Sequence, residues 1–472
     1  MYNICMQMNI NRVKSFFNNL GNKCSAFFYG GYFPIYLALS VCLFYGLDLT
    51  VLGLLVFSLA GSFIFLCYKD CTPILPVLFM VVLNFRDYAL MTTPWGYLAL
   101  LPVMVSFVAH FFLFPIKKIK MGKLVYPLIA ISIAYIFSGA FVSGYNILEG
   151  FAPLLALGPV MLVIYLFFTN TINPPKNFDT KKYLCYCLII TGLTMIAQIG
   201  IVRMCFSDLL PEMGWSNINT AAAFLTLAVP SCYYLLIKAE KTLPFILLLC
   251  VFYASFAIIL SDAVVGLIVF FTPLLLLYTF RNIKYTHKKK ILLLFVIFII
   301  VAIIFFSMIL YLKGYKYIFA KLDSSFSNNG RLALYKESLY LFIKYPIFGA
   351  GAGYMNYNTE LLTSGIRTYN FHSTFFHVIA TMGIIGFFAY LYYFVERFKI
   401  FMKKYNAFTF FMLTAFIMFE CYGMVDTCEF NAIPLMSTLT VMLVVVEKTN
   451  KGNDFAPLPL SYNRKYGKFS NF

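Results

Sequence analysis

Apolar runs of membrane-spanning length recur along nearly the whole chain, separated by short clusters of charged or turn-forming residues. About 20 apolar residues suffice to cross a bilayer as a helix, and a chain with many such runs has few other places to put them. The runs are continuous rather than alternating, which selects helices over a transmembrane barrel. With 62% hydrophobic and only 11% charged residues, and a mean hydropathy of +0.84, the expected fold is all-α and polytopic. The first 24 residues are polar and basic, and the run that follows is long enough to stay in the membrane, so no cleaved leader is expected.

About 14 spans can be drawn: 27–46, 50–68, 72–85, 95–115, 124–143, 151–170, 183–202, 219–237, 243–260, 263–280, 291–312, 372–394, 407–425 and 431–446. The third is the shortest. They divide the chain into N-terminal transmembrane helices in 1–312, one large outer loop in 313–371 containing short helices, and C-terminal helices with a cytoplasmic tail in 372–472.

Charge sets the orientation. With the N-terminus inside, 27 of the 36 lysines and arginines fall on the inner side, including the runs at Lys117–Lys120 and Lys288–Lys290. The positive-inside rule is then met at every inner loop, with both termini cytoplasmic. This distribution explains the net charge of +18 without nucleic acid. Few ionisable groups lie inside the spans, Glu420 being the clearest, and no repeat relates the two halves; both features argue against transport. The 12 cysteines form no CxxC pair and mostly read as small apolar residues, although Cys205 and Cys428 both face outward and can pair if close in space.

Most of the chemical equipment lies in the long loop. Asn328 or Asn329 can cap a helix that runs to Tyr345, places Leu332, Tyr335, Leu339 and Phe342 on one face, and stops before Pro346. Such a helix lies on the outer membrane surface or over a cavity. Arg331 sits in its first turn, where the helix dipole disfavours a cation; it either serves a ligand or is simply solvated. Gly349-Ala350-Gly351-Ala352-Gly353 either lets backbone approach a ligand or forms a turn between loop helices; it lacks the spacing of a dinucleotide fingerprint. His372 opens the twelfth span at the outer water boundary, where a histidine can exchange protons near neutral pH. His377 is five residues on and on another helix face, so the two form no paired ligand set. His110 and His287 lie in or near inner segments and read as structural or solvated. At the mouth of the eighth span, Asn217 and Asn219 either cap the helix or bond sugar hydroxyls, and Trp215 can stack on a sugar ring. No metal site is expected.

Arg331, then Pro346-Ile347-Phe348-Gly349-Ala350-Gly351, then His372 opening a span that contains Gly383-Ile384-Ile385-Gly386, resembles the O-antigen ligase and Wzy polymerase superfamily. Gly214-Trp215-Ser216-Asn217-Ile218-Asn219 resembles that family's G-x-x-N-x-N segment. The resemblance covers roughly residues 200–390 and extends to the topology. It implies glycosyl transfer at the outer leaflet, from a glycan on a polyprenyl pyrophosphate to a sugar hydroxyl. It makes His372 the general base and Arg331 a pyrophosphate-binding arginine, with Gly349 and Gly351 near the substrate. The family's Ser-Arg-Gly turn reads Ser261-Asp262-Ala263 here, and Arg86, Arg203 and Arg367 are candidates to replace the missing cation.

The resulting expectation is a polymerase of lipid-linked repeat units in the bacterial cytoplasmic membrane, building O-antigen, capsule or exopolysaccharide without metal or other cofactor. A chain-length regulator is left open as a partner. The alternatives are a ligase that moves the glycan to lipid A core or another acceptor, a flippase or other transporter, and a glycosyltransferase using Asp48 in the first outer loop.

Overall fold

A computed structural model describes residues 2–84, 94–143, 145, 158–205, 218–238, 262–282, 329–352, 371–427 and 433–450. Among these the fold is helical, with no strand. The first helices are α1 (Tyr2–Phe28), α2 (Tyr32–Gly46), α3 (Thr50–Cys67), α4 (Leu75–Met80), α5 (Pro94–Leu113), α6 (Val125–Phe137) and α7 (Pro159–Thr171). They are followed by α8 (Thr180–Cys205), α9 (Ile218–Lys238), α10 (Asp262–Asn282), α11 (Asn329–Lys344), α12 (Thr374–Met402), α13 (Ala407–Gly423) and α14 (Ile433–Asn450). Twelve of the expected spans coincide with helical segments; those at 243–260 and 291–312 lie outside the described residues.

Among the described residues, three helices are long and apolar enough to cross a bilayer alone: α3, α5 and α12. A fourth candidate is the pair α1–α2, which bends by 78° between Arg12–Phe28 and Tyr32–Gly46. The polar segment expected before the first span is thus helical, and it exposes Val13 and Phe16 beside Arg12 and Lys23. The short third span is a composite: a 3-10 turn at Thr72–Ile74, the six residues of α4, and a second 3-10 turn at Val81–Asn84. Pro73 and Pro76 lack the N–H groups that a regular helix uses, and proline favours such initiating turns. Nearly all of this segment is buried, so it serves as a central strut of the core.

Loops that the charge pattern assigns to one side meet at one end of the bundle. Asp70 accepts from Tyr29 Oη at 2.8 Å, Thr72 Oγ1 at 2.7 Å and the Asn173 N–H at 2.7 Å. Burial pushes its carboxyl up, against the pull of these bonds. At the same end Glu447 accepts from Tyr165 Oη and the Lys123 N–H, and Lys448 donates to the Ile172 carbonyl. The opposite end of α6 carries Ser138 and Gly139, which bond to residues 348–352: Ala352 N–H donates to Ser138 Oγ at 3.2 Å, and Gly139 N–H donates to the Phe348 carbonyl at 3.2 Å.

Glu420, the ionisable group expected within a span, pairs across the α12–α13 hairpin. The fully buried Arg397 lies 3.0 Å from Glu420 Oε1, and Tyr390 donates to Oε2 at 2.7 Å. The guanidinium also covers the Tyr393 ring, 3.9 Å from its centroid. A buried pair of this kind fixes which face of one helix meets the other. The hairpin it joins carries the candidate site at its open end.

Candidate functional site

The helix expected in the long loop is α11, and it ends at Lys344, before Pro346. Its inward face differs from the expected one. Leu334, Ser338 and Leu341 are buried, whereas Leu332 and Leu339 are exposed. The partner explains this choice. Leu334 and Leu341 pack with Phe371 and Ala380, and Ser338 Oγ donates to the Phe376 carbonyl at 2.7 Å. A single short segment at the start of α12 therefore selects the face, which buries Glu337 and Ser338 along with two leucines.

Beyond Pro346 the chain inserts into a break in α12. Gly383 has φ 62° and ψ −153°, torsions that end the regular helix there. The neighbouring hydrogen bonds run to the inserted segment: Ile384 N–H donates to the Pro346 carbonyl at 2.8 Å, and Ala350 N–H donates to Ala380 at 2.8 Å. Gly351 N–H likewise donates to Thr381 at 3.0 Å, and Gly349 N–H to Tyr345 at 3.0 Å. Gly349 has φ 68°, and a Cβ there would lie 2.3 Å from the Thr381 carbonyl carbon. Gly349 thus stands against the backbone of α12 and Gly351 against the Tyr145 ring, and their N–H groups are used within the fold. Residues 345–351 form a turn after α11 whose backbone closely approaches α12.

His372 sits just before α12 with φ 48°, a left-handed backbone uncommon for a residue with a side chain. Three contacts hold it. Tyr335 Oη donates to the His372 carbonyl at 3.1 Å. The following N–H, of Ser373, donates to Thr427 Oγ1 at 3.1 Å. His372 Nδ1 lies 3.3 Å from Asp426 Oδ1, with the imidazole 30% exposed and the carboxylate 10%. Asp426 also accepts from the Thr427 N–H at 2.8 Å and from Tyr422 Oη at 3.4 Å. Assigning the ring proton to Nδ1, as the carboxylate requires, leaves Nε2 as the proton acceptor.

Arg331 lies one turn before Tyr335 on α11 and is half-buried. Burial pushes the Tyr335 phenol up; the Arg331 charge opposes that shift and the Asp426 charge adds to it. A cation, a phenol, a histidine and a carboxylate therefore share one neighbourhood at one end of the bundle. His377, a turn into α12, is buried near Phe371 and lies deeper than His372. His110 is a core residue at the other end, with Nδ1 2.9 Å from the Phe65 carbonyl. Asp48 is exposed in the three-residue turn Leu47–Leu49. Arg86, Arg367, Trp215, Asn217, His287 and Cys428 lie outside the described residues, as do the side chains of Arg203, Cys205 and Asn219.

Asp426 was not singled out by its sequence context, although one signal pointed to it. The short link between the twelfth and thirteenth spans makes them antiparallel neighbours, so the start of one meets the end of the other. Asp426 follows the thirteenth directly, as His372 opens the twelfth.

Fold and site together define a helical membrane protein with a histidine–carboxylate pair beside an arginine at one end of its bundle. Residues 249–391 match the family model described as O-antigen ligase, a stretch that contains both Arg331 and His372. The match covers 143 of the chain's 472 residues and is a similarity over that stretch. No curated protein and no solved structure matches the chain.

Proposed function

We propose that the chain is a polysaccharide polymerase that joins oligosaccharide repeat units carried on polyprenyl pyrophosphate at the outer leaflet of the bacterial cytoplasmic membrane. The observation that carries this reading is the Asp426–His372 pair, set beside the helix that bears Arg331. An acceptor sugar hydroxyl attacks the anomeric carbon of the donor glycan. The bond from that carbon to the pyrophosphate oxygen breaks, and the electron pair leaves with the carrier. His372 Nε2 takes the hydroxyl proton as the new glycosidic bond forms, and Asp426 stabilises the resulting imidazolium. Arg331 offers a planar fork to the pyrophosphate oxygens, where negative charge develops.

A second cation would complete this charge sink, and Arg86, Arg203 and Arg367 are the candidates. Trp215, Asn217 and Asn219 are proposed to hold the sugar. The 69–72, 120–124, 170–173 and 447–448 segments cluster at the end opposite His372, as a topology with these loops on one side requires, and the excess of lysine and arginine favours the cytoplasm for that side. A second reading, transfer to lipid A core or another acceptor, is favoured by the description of the matched family. It uses the same residues and changes only the acceptor.

Purified protein in detergent, given carrier-linked repeat units without nucleotide sugar, is expected to build a glycan ladder on the carrier, and to do so in EDTA. A product found only on an added lipid A core acceptor would establish the ligase. No covalent product from either mixture would favour a transporter. Strict need for a divalent ion would count against arginine as the pyrophosphate partner.

A further inference from the structure

We propose that Tyr335 is a positioning residue that holds His372 in its left-handed backbone conformation and so aims the imidazole. This rests on the reading of His372 as the base.

His372 is one of only two described non-glycine residues with positive φ. The left-handed basin is disfavoured for a residue with a Cβ, so the surroundings must impose it. The constraints come from two sides. Thr427 and Asp426, just beyond α13, hold the following N–H and the ring. Tyr335, on α11, is the hydroxyl that holds the carbonyl. Without that bond the 371–373 segment loses one of the contacts that oppose relaxation to negative φ, a change that would swing the ring away from Asp426. The phenol is well suited to this task. Its ring is stacked on Phe376, with centroids 4.4 Å apart and planes within 16°, so its position is fixed independently of the hydroxyl. Burial and the Asp426 charge disfavour the phenolate, which keeps the phenol a donor. Tyr335 also stands one turn from Arg331, so a single helix sets the donor-binding cation and the backbone of the base.

Tyr335→Phe keeps the stacked ring and deletes the hydrogen bond. Ser338→Ala deletes the other side-chain bond from α11 to the start of α12, without touching His372. Both are purified with wild type, Arg331→Ala and His372→Ala, and assayed on carrier-linked repeat units extracted from a strain lacking the gene. Tyr335→Phe is expected to lower kcat about tenfold, the size of one lost hydrogen bond expressed in the barrier, with KM for the carrier-linked unit and the melting temperature unchanged. Ser338→Ala is expected to keep the wild-type kcat, and Arg331→Ala to lower kcat and raise KM, because the cation meets both the bound pyrophosphate and the charge that develops on it. Three results overturn the proposal: a wild-type kcat in Tyr335→Phe, a raised KM with unchanged kcat, or equal losses in Tyr335→Phe and Ser338→Ala. Wild-type turnover in His372→Ala would instead overturn the base reading beneath it.

Discussion

At His372 two demands meet that act oppositely on stability. The left-handed backbone costs about 1–2 kcal/mol for a residue with a side chain, while the Asp426 contact at Nδ1 fixes the orientation of the ring. Asparagine, whose short polar side chain can hydrogen-bond locally, is among the residues that visit that backbone most readily after glycine. His372→Asn is therefore expected to melt no lower than wild type and to make no polymer, and His372→Ala to lose about 10²–10⁴-fold in rate. Asp426→Asn should cost at least about tenfold but less than His372→Ala, because it removes the stabiliser of the imidazolium and leaves the base. His377→Gln, deeper in α12, should retain activity; normal polymer from His372→Ala with none from His377→Gln would move the base to His377. His372 and Arg331 were legible because they stand out in polar sequence between apolar runs. Asp426 was not, because its partner is 54 residues away in the chain. Tyr335 was read as one apolar position on a helix face, and the direction of its hydroxyl depends on a contact that periodicity does not encode.

At the scale of the element, the broken helix α12 is the feature that hydropathy missed. Averaging over a span smooths across Gly383, and the backbone bonds that bridge the break come from residues 346–351, more than 30 positions earlier. The glycines of that segment were legible as a turn, but their partner was not. Gly349→Ala and Gly383→Ala would each place a Cβ within 2.6 Å of backbone at positive φ. Both are expected to reduce folded protein in detergent gel filtration along with activity, unlike His372→Asn, which should elute as wild type. The Arg397–Glu420 pair makes a related point. Glu420 was visible as a charge within a span, whereas Arg397 looked like part of the inner loop until the helix proved to run on to Met402. Arg397→Met alone leaves a buried carboxylate and is expected to cost about 3–5 kcal/mol; adding Glu420→Leu should restore most of it in thermal melts.

At the scale of the whole molecule, the sequence reading and the structure agree best on where helices lie and which loops share an end. That agreement has a physical basis: solvation of the backbone forces helix onto every apolar run, and lysines and arginines sort to one side. Among the described residues, α3, α5 and α12 are long enough to span alone, and shorter apolar helices such as α4, α6 and α13 pack beside them. Sidedness yields the broadest prediction. Lys336 is exposed on α11, near the His372 end, and Lys118 is exposed in the link before α6, at the other end. If the termini are cytoplasmic, a membrane-impermeant maleimide added to intact cells should label Lys336→Cys above the background of the native cysteines. Lys118→Cys should react only after the cells are broken. The reverse pattern would place His372 and Arg331 on the cytoplasmic side, where sugar transferases use nucleotide-linked donors, and would remove the case for polymerisation at the outer leaflet.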